Sequence, residues 1–135
     1  MHWMRRLLVI VAVLAGATAA AAPAATPHGP LTGTWRGVLT GSVNGATQRE
    51  RIMITINGRQ TAGTWKVSAS CQGKLTLDSI SNGYHHYRRH IAPGSTCVSG
   101  DVDCLERAGT KVFDSVTPRP DGWGRSGTFH RVVPT

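Results

Sequence analysis

The chain of 135 residues has room for one domain. It carries 15 Lys and Arg against 7 Asp and Glu, a formal net charge of +8. With 40% hydrophobic and 16% charged residues, it is too apolar for a disordered basic tail and too polar for a multi-span membrane protein.

Residues 1–21 read as a signal peptide. Arg5 and Arg6 supply a charged start, Leu7 to Leu14 is an unbroken apolar run, and Ala17-Thr18-Ala19 places small residues where a signal peptidase reads. Even extended to Ala22, the apolar stretch is shorter than the roughly 20 residues of a stable membrane span. Loss of Arg5 and Arg6 takes the net charge from +8 to +6. Residues 22–30, with Pro23, Pro27 and Pro30, form an Ala/Pro-rich linker. Residues 31–135 form the folded body, expected as one domain secreted or held outside the cytoplasm.

Strand-like runs and turn signals alternate along that body. Asn44-Gly45, Asn57-Gly58 and Asn82-Gly83 are hairpin signals, because both residues tolerate positive φ. Between the breaks lie runs at Thr34 to Thr40, Gln48 to Ile56, Gln60 to Ser68 and Lys74 to Ile80. Four more follow at Tyr84 to Ala92, Val102 to Arg107, Thr110 to Val116 and Ser126 to Val133. Ile52, Ile54 and Ile56 alternate with Arg51, Met53 and Thr55, which puts the isoleucines on one face; Leu75 and Leu77 point inward in the same way. No window supports a long amphipathic helix. The fold class is all-β, an antiparallel meander of about eight strands closed into a small barrel, since closure removes exposed edges. A two-sheet β-sandwich is the alternative.

Three cysteines allow one bridge and leave one thiol. Cys71–Cys97 closes a long loop. Cys97–Cys104 is the competitor, because a turn at Gly100-Asp101 sets those two residues opposite each other. Cys104 shares the face of Val102 and reads as a small buried hydrophobe, not a nucleophile.

The densest unusual segment is Tyr84-His85-His86-Tyr87-Arg88-Arg89-His90. On a strand, Tyr84, His86, Arg88 and His90 share one face, and His85, Tyr87, Arg89 and Ile91 the other. Ile91 assigns the second face to the interior. The first is the candidate ligand site: Arg88 forks onto a phosphate or carboxylate and Tyr84 donates or stacks. The competing reading is a solvated strand face. No metal site is expected, since His86 and His90 stand about 13 Å apart along a strand and no zinc signature is present. Asp101, Asp103 and Glu106 cluster at a predicted hairpin and read as solvated acids. No G-x-S-x-G, H-E-x-x-H or P-loop occurs, so no catalytic residue and no cofactor are assigned.

Gly33-Thr34-Trp35 at the first strand resembles the G-x-W opening of lipocalins and other calycin barrels. The resemblance implies that Trp35 plugs one end of the barrel and that Arg131 covers it. Leu31 to Trp35, with Gly127-Thr128-Phe129, is also similar to avidin-type biotin binders. In overall layout the chain resembles a family of small exported bacterial domains of uncharacterised function, also found at the extracellular ends of actinobacterial Ser/Thr kinases. The matching residues are Trp35-Arg36-Gly37, Gly63-Thr64, Cys71-Gln72-Gly73-Lys74-Leu75-Thr76-Leu77 and Cys97-Val98-Ser99-Gly100. This resemblance implies a Cys71–Cys97 bridge. The family carries an acid on the strand before the second Cys, where this chain has Arg88 and Arg89.

The expected function is a secreted accessory binding module. Its site is a barrel pocket or a basic strand face recognising an anionic envelope component. The partner is an anionic polymer or small ligand outside the cytoplasm, not nucleic acid, because of the export signal. Two alternatives stand. One is an inhibitor or partner of an envelope enzyme, presenting Thr117 to Gly124. The other is a small hydrolase or isomerase, which requires an inward-facing acid or His in the barrel cavity.

Overall fold

The computed structural model describes Gly16 and residues 29–97, 101–117 and 123–133. The segment expected as a signal peptide, apart from Gly16, and nearly all of residues 22–30 lie outside the described residues, as does the centre of the Thr117–Gly124 loop. Eight strands follow in chain order: β1 (Gly33–Val43), β2 (Ala46–Ile56), β3 (Ala62–Ser68), β4 (Cys71–Ser81), β5 (Tyr84–Ile91), β6 (Val102–Ala108), β7 (Lys111–Thr117) and β8 (Arg125–Arg131). Each is antiparallel to the next, and β1 closes on β8 through Trp35 opposite Arg131 and Gly37 opposite Phe129. The molecule is an all-β meander barrel, not a sandwich. Among the described residues no helix is long and apolar enough to cross a membrane.

Two hairpins form as their Asn-Gly pairs dictate. Asn44 and Gly45 have φ of 50° and 77°, Asn82 and Gly83 of 52° and 81°, which only such residues adopt cheaply. Asn57-Gly58 behaves differently. There the connection runs to Thr61, and Gln60 takes the positive φ of 58°. Asn57 instead accepts hydrogen bonds from the Thr61 and Ala62 amides through its side-chain oxygen, at 3.0 and 3.4 Å. A local side-chain bond therefore outcompetes the two-residue turn.

Period-two alternation builds the interior. Ile52, Ile54, Ile56, Trp65, Leu75, Tyr87, Val112 and Phe129 are all buried, each contributing roughly 1.5–3 kcal/mol. Their side chains fill the barrel axis. Gly37 faces Phe129 across the β1–β8 seam, and a Cβ there would lie 2.1 Å from the ring, so the seam needs a glycine. At one end, Trp35 is fully buried and its indole N–H donates to the Leu31 carbonyl at 2.8 Å. Arg131 lies over that ring at 4.5 Å and Arg107 at 5.0 Å. Both guanidiniums also donate to carbonyls of the entering chain, Arg131 to Thr32 and Arg107 to Pro30.

Cys71 and Cys97 form a disulfide, with Cα atoms 5.3 Å apart. Cys104 is the free thiol, so the alternative pairing Cys97–Cys104 is not made. Cys104 on β6 instead lies between His86 of β5 and Ser115 of β7. The bridge joins the start of β4 to the segment after β5, at the end of the barrel away from Trp35. The Thr96 amide donates to the Ser70 carbonyl beside it at 2.7 Å.

Candidate functional site

The β5 face singled out from sequence points outward, and each of its side chains is engaged by a different neighbour. Arg88 is ion-paired with Asp78 at 2.7 Å. The His90 ring is hydrogen-bonded to the Thr76 hydroxyl at 2.7 Å. His86 meets Ser81 through Nε2 at 2.9 Å and the Cys104 thiol through Nδ1 at 3.1 Å. The Tyr84 phenol is held above its ordinary pKa by a hydrogen bond to Glu106. These four groups form a file along one strand and do not converge on a common point. Cys104 is buried as expected, yet it lies on the His86 side of β6 and outside the apolar core cluster. Burial pushes its thiol pKa up.

The opposite face of β5 leads to a buried polar layer. Arg89, assigned to the interior from sequence, is 3% exposed. Its guanidinium forks onto Asp103, at 2.6 and 2.8 Å, and reaches Glu50 at 3.2 Å. It also lies over the Trp65 ring at 5.1 Å. Arg125 is the second buried guanidinium. It donates to Asp101 at 2.9 Å, to Glu50 at 3.2 Å and to the Trp123 carbonyl at 3.1 Å.

Asp103 and Asp114 are both fully buried. Burial opposes ionisation of Asp103, but the Arg89 charge and its hydrogen bonds outweigh burial and hold that carboxyl below its ordinary value. Among the described residues no N–H or hydroxyl donates to either oxygen of Asp114, and its carboxyl lies within hydrogen-bond reach of Asp103. Burial, and then the Asp103 charge beside it, push its pKa well above the usual carboxylate range.

This layer corrects the reading of Asp103 as a solvated hairpin acid. β6 begins there and pairs Asp103 with Tyr87 and Val116, so its side chain points inside. Sequence reasoning also passed over Glu50, Asp114 and Arg125. The signal was the alternation itself: Asp114 sits between Val112 and Val116, and Glu50 two residues before Ile52. The inward acids Asp103 and Asp114 are sealed from solvent.

The outer face of β1–β4 is different in kind. Arg36 on β1, Arg49 and Arg51 on β2, Lys66 on β3 and Lys74 on β4 are all exposed. The register runs Arg36, Met53, Lys66, Gln72 across the four strands, with Lys74 next to Thr64. It continues from Arg36 to His130 on β8 and Lys111 on β7. The four strands carry only two carboxylates: Glu50 points inside and Asp78 is held by Arg88. None of the five cations is ion-paired with a carboxylate among the described residues. Two solvent-open recesses flank Met53. One, of about 330 Å³, is lined by Arg36, Arg51 and Lys66; the other, of about 350 Å³, by Thr55, Thr64, Lys66 and Lys74.

Neighbouring strands lie about 4.8 Å apart, so Arg36 and Lys66 stand about 10 Å apart across the sheet. That is close to one Debye length at physiological salt, and the fields of the cations add. Among the described residues no group of three or more His, Cys, Asp and Glu is placed to hold a metal ion. Comparison of the chain with protein-family models, with curated proteins and with solved structures finds no match.

Proposed function

We propose that this protein is an exported, calycin-like accessory module that binds an anionic polymer of the cell envelope on the outer face of β1–β4. The observation that carries the reading is the group of five exposed cations, none of them ion-paired with a carboxylate among the described residues. A solvated structural face normally mixes both signs. The mixed pattern is found on β5, where Asp78 neutralises Arg88. Export is supported by the charged start, apolar run and small-residue site of residues 1–21, and a disulfide suits an oxidising compartment. A basic outer face would then meet phosphate-bearing polymers or acidic glycans, and its attraction would be electrostatic and screened by salt.

The test is polyphosphate binding by fluorescence anisotropy across a salt series. The triple variant Arg36→Ala, Arg51→Ala, Lys66→Ala loses at least about tenfold in affinity at low salt, at roughly 1 kcal/mol per cation near an anionic surface. Arg88→Ala stays within about twofold, because Asp78 already neutralises that charge. Equal losses from both variants, or affinity indifferent to salt, would defeat the reading.

A further inference from the structure

We propose that the open end of the barrel is a sugar-ring subsite adjoining the basic face, so that the polymer bound on β1–β4 is an anionic glycan and not a bare polyanion. The proposal rests on the β1–β4 reading for the polymer and adds the mouth as a second, uncharged contact. A recess of about 500 Å³ lies there, within the roughly 300–1,000 Å³ of small-molecule sites. Its walls are part apolar, from Val43, Val67 and Trp123, and part polar, from Gln48 and Glu50. Arg51 and Val67 line both this recess and the one beside Met53, so the mouth and the basic face are continuous.

The polar groups are held in place from beneath. Glu50 Oε1 accepts from Arg89 at 3.2 Å and from Arg125 at 3.2 Å, whereas Oε2 has only a 3.5 Å contact to Arg125. Two buried guanidiniums therefore orient a carboxylate whose second oxygen keeps acceptor capacity at a partly exposed position. Trp123 is fixed by Arg125, which stacks over the ring at 4.7 Å. Its edge rests on Gly41, where a Cβ would lie 2.8 Å from the ring.

The chemistry of these walls selects the occupant. A fully ionised phosphate has no proton to donate to the free acceptor oxygen of Glu50. A simple cation is repelled by Arg49 and Arg51 at the rim. A sugar ring satisfies both kinds of wall: its hydroxyls donate to Glu50 and exchange hydrogen bonds with Gln48, and its C–H face packs on Val43, Val67 and Trp123.

The experiment uses three probes with the mature protein: phosphomannan, polyphosphate at matched phosphate concentration, and uncharged mannotriose. Phosphomannan binds about tenfold more tightly than polyphosphate, a difference of one hydrogen-bonded subsite. Trp123→Ala and Gln48→Ala remove that advantage and leave polyphosphate binding unchanged. Mannotriose at millimolar concentration shifts the Trp123 indole resonance. If phosphomannan and polyphosphate bind equally and mannotriose leaves that resonance unmoved, the subsite is wrong while the basic face stands. If neither polymer binds but mannotriose shifts Trp123, the basic face is wrong and the subsite stands alone.

Discussion

Asp103 and Asp114 lie on adjacent strands inside one barrel, yet only Asp103 is hydrogen-bonded to a guanidinium. That difference sets opposite pH signatures. Asp103 is depressed, so it adds stability above its unfolded value, and that stability is lost as pH falls through the folded value. Asp114 is raised above 3.8, so its contribution is full below that value and is lost as pH rises toward the folded pKa. Asp114→Asn keeps the shape and removes the titration. Urea unfolding should therefore show its stability gaining on wild type steadily as pH rises from acid toward neutral. A constant difference across that range would contradict the upward shift of the Asp114 pKa. Asp103→Asn leaves Arg89 with Glu50 as its one remaining carboxylate among the described residues and should cost about 3–5 kcal/mol at neutral pH, as removal of one member of a buried pair does. None of this was legible as chemistry in the sequence. A lone Asp between two valines carries the inward phase, but whether it is paired or protonated depends on Arg89, 25 residues away in sequence.

At the scale of elements, most of the fold was readable. Alternating isoleucines located β2, and Asn-Gly pairs located two of the hairpins, because both signals are local. The failures were those of competition and reach. Asn57 used its side chain to cap a longer turn, and β4 begins at Cys71, earlier than Lys74, since the Gln72 and Gly73 positions pair with Lys66 and Trp65. The disulfide was left open by spacing and is settled by β6 pairing with β5. It ties the first residue of β4 to a segment 26 residues on. Replacing both Cys71 and Cys97 by Ala should lower the unfolding free energy by about 3 kcal/mol. Amide exchange should quicken first near Gln72 and Thr96, while the amides flanking Trp35 keep their protection. Uniform loss of protection would mean that the two ends of the barrel are not separable in stability.

At the scale of the whole molecule, closure turns a list of basic residues into a surface. The sequence directed attention to Tyr84, His86, Arg88 and His90, because they are contiguous. The barrel distributes those four among separate partners and gathers Arg36, Arg51, Lys66 and Lys74 from four strands instead. Strand pairing sets that gathering, and no local window of sequence contains it. The net charge of +8 matters less than its division: the interior pairs its arginines with acids, and the outside of β1–β4 leaves its cations open. The most direct measurement is a chemical-shift map of the ¹⁵N-labelled protein titrated with polyphosphate at low salt. The account predicts that the responding amides cluster at Arg36, Arg51, Lys66 and Lys74 and return to their free positions as salt is added. A footprint centred on Tyr84, His86, Arg88 and His90, with β1–β4 silent, would contradict it.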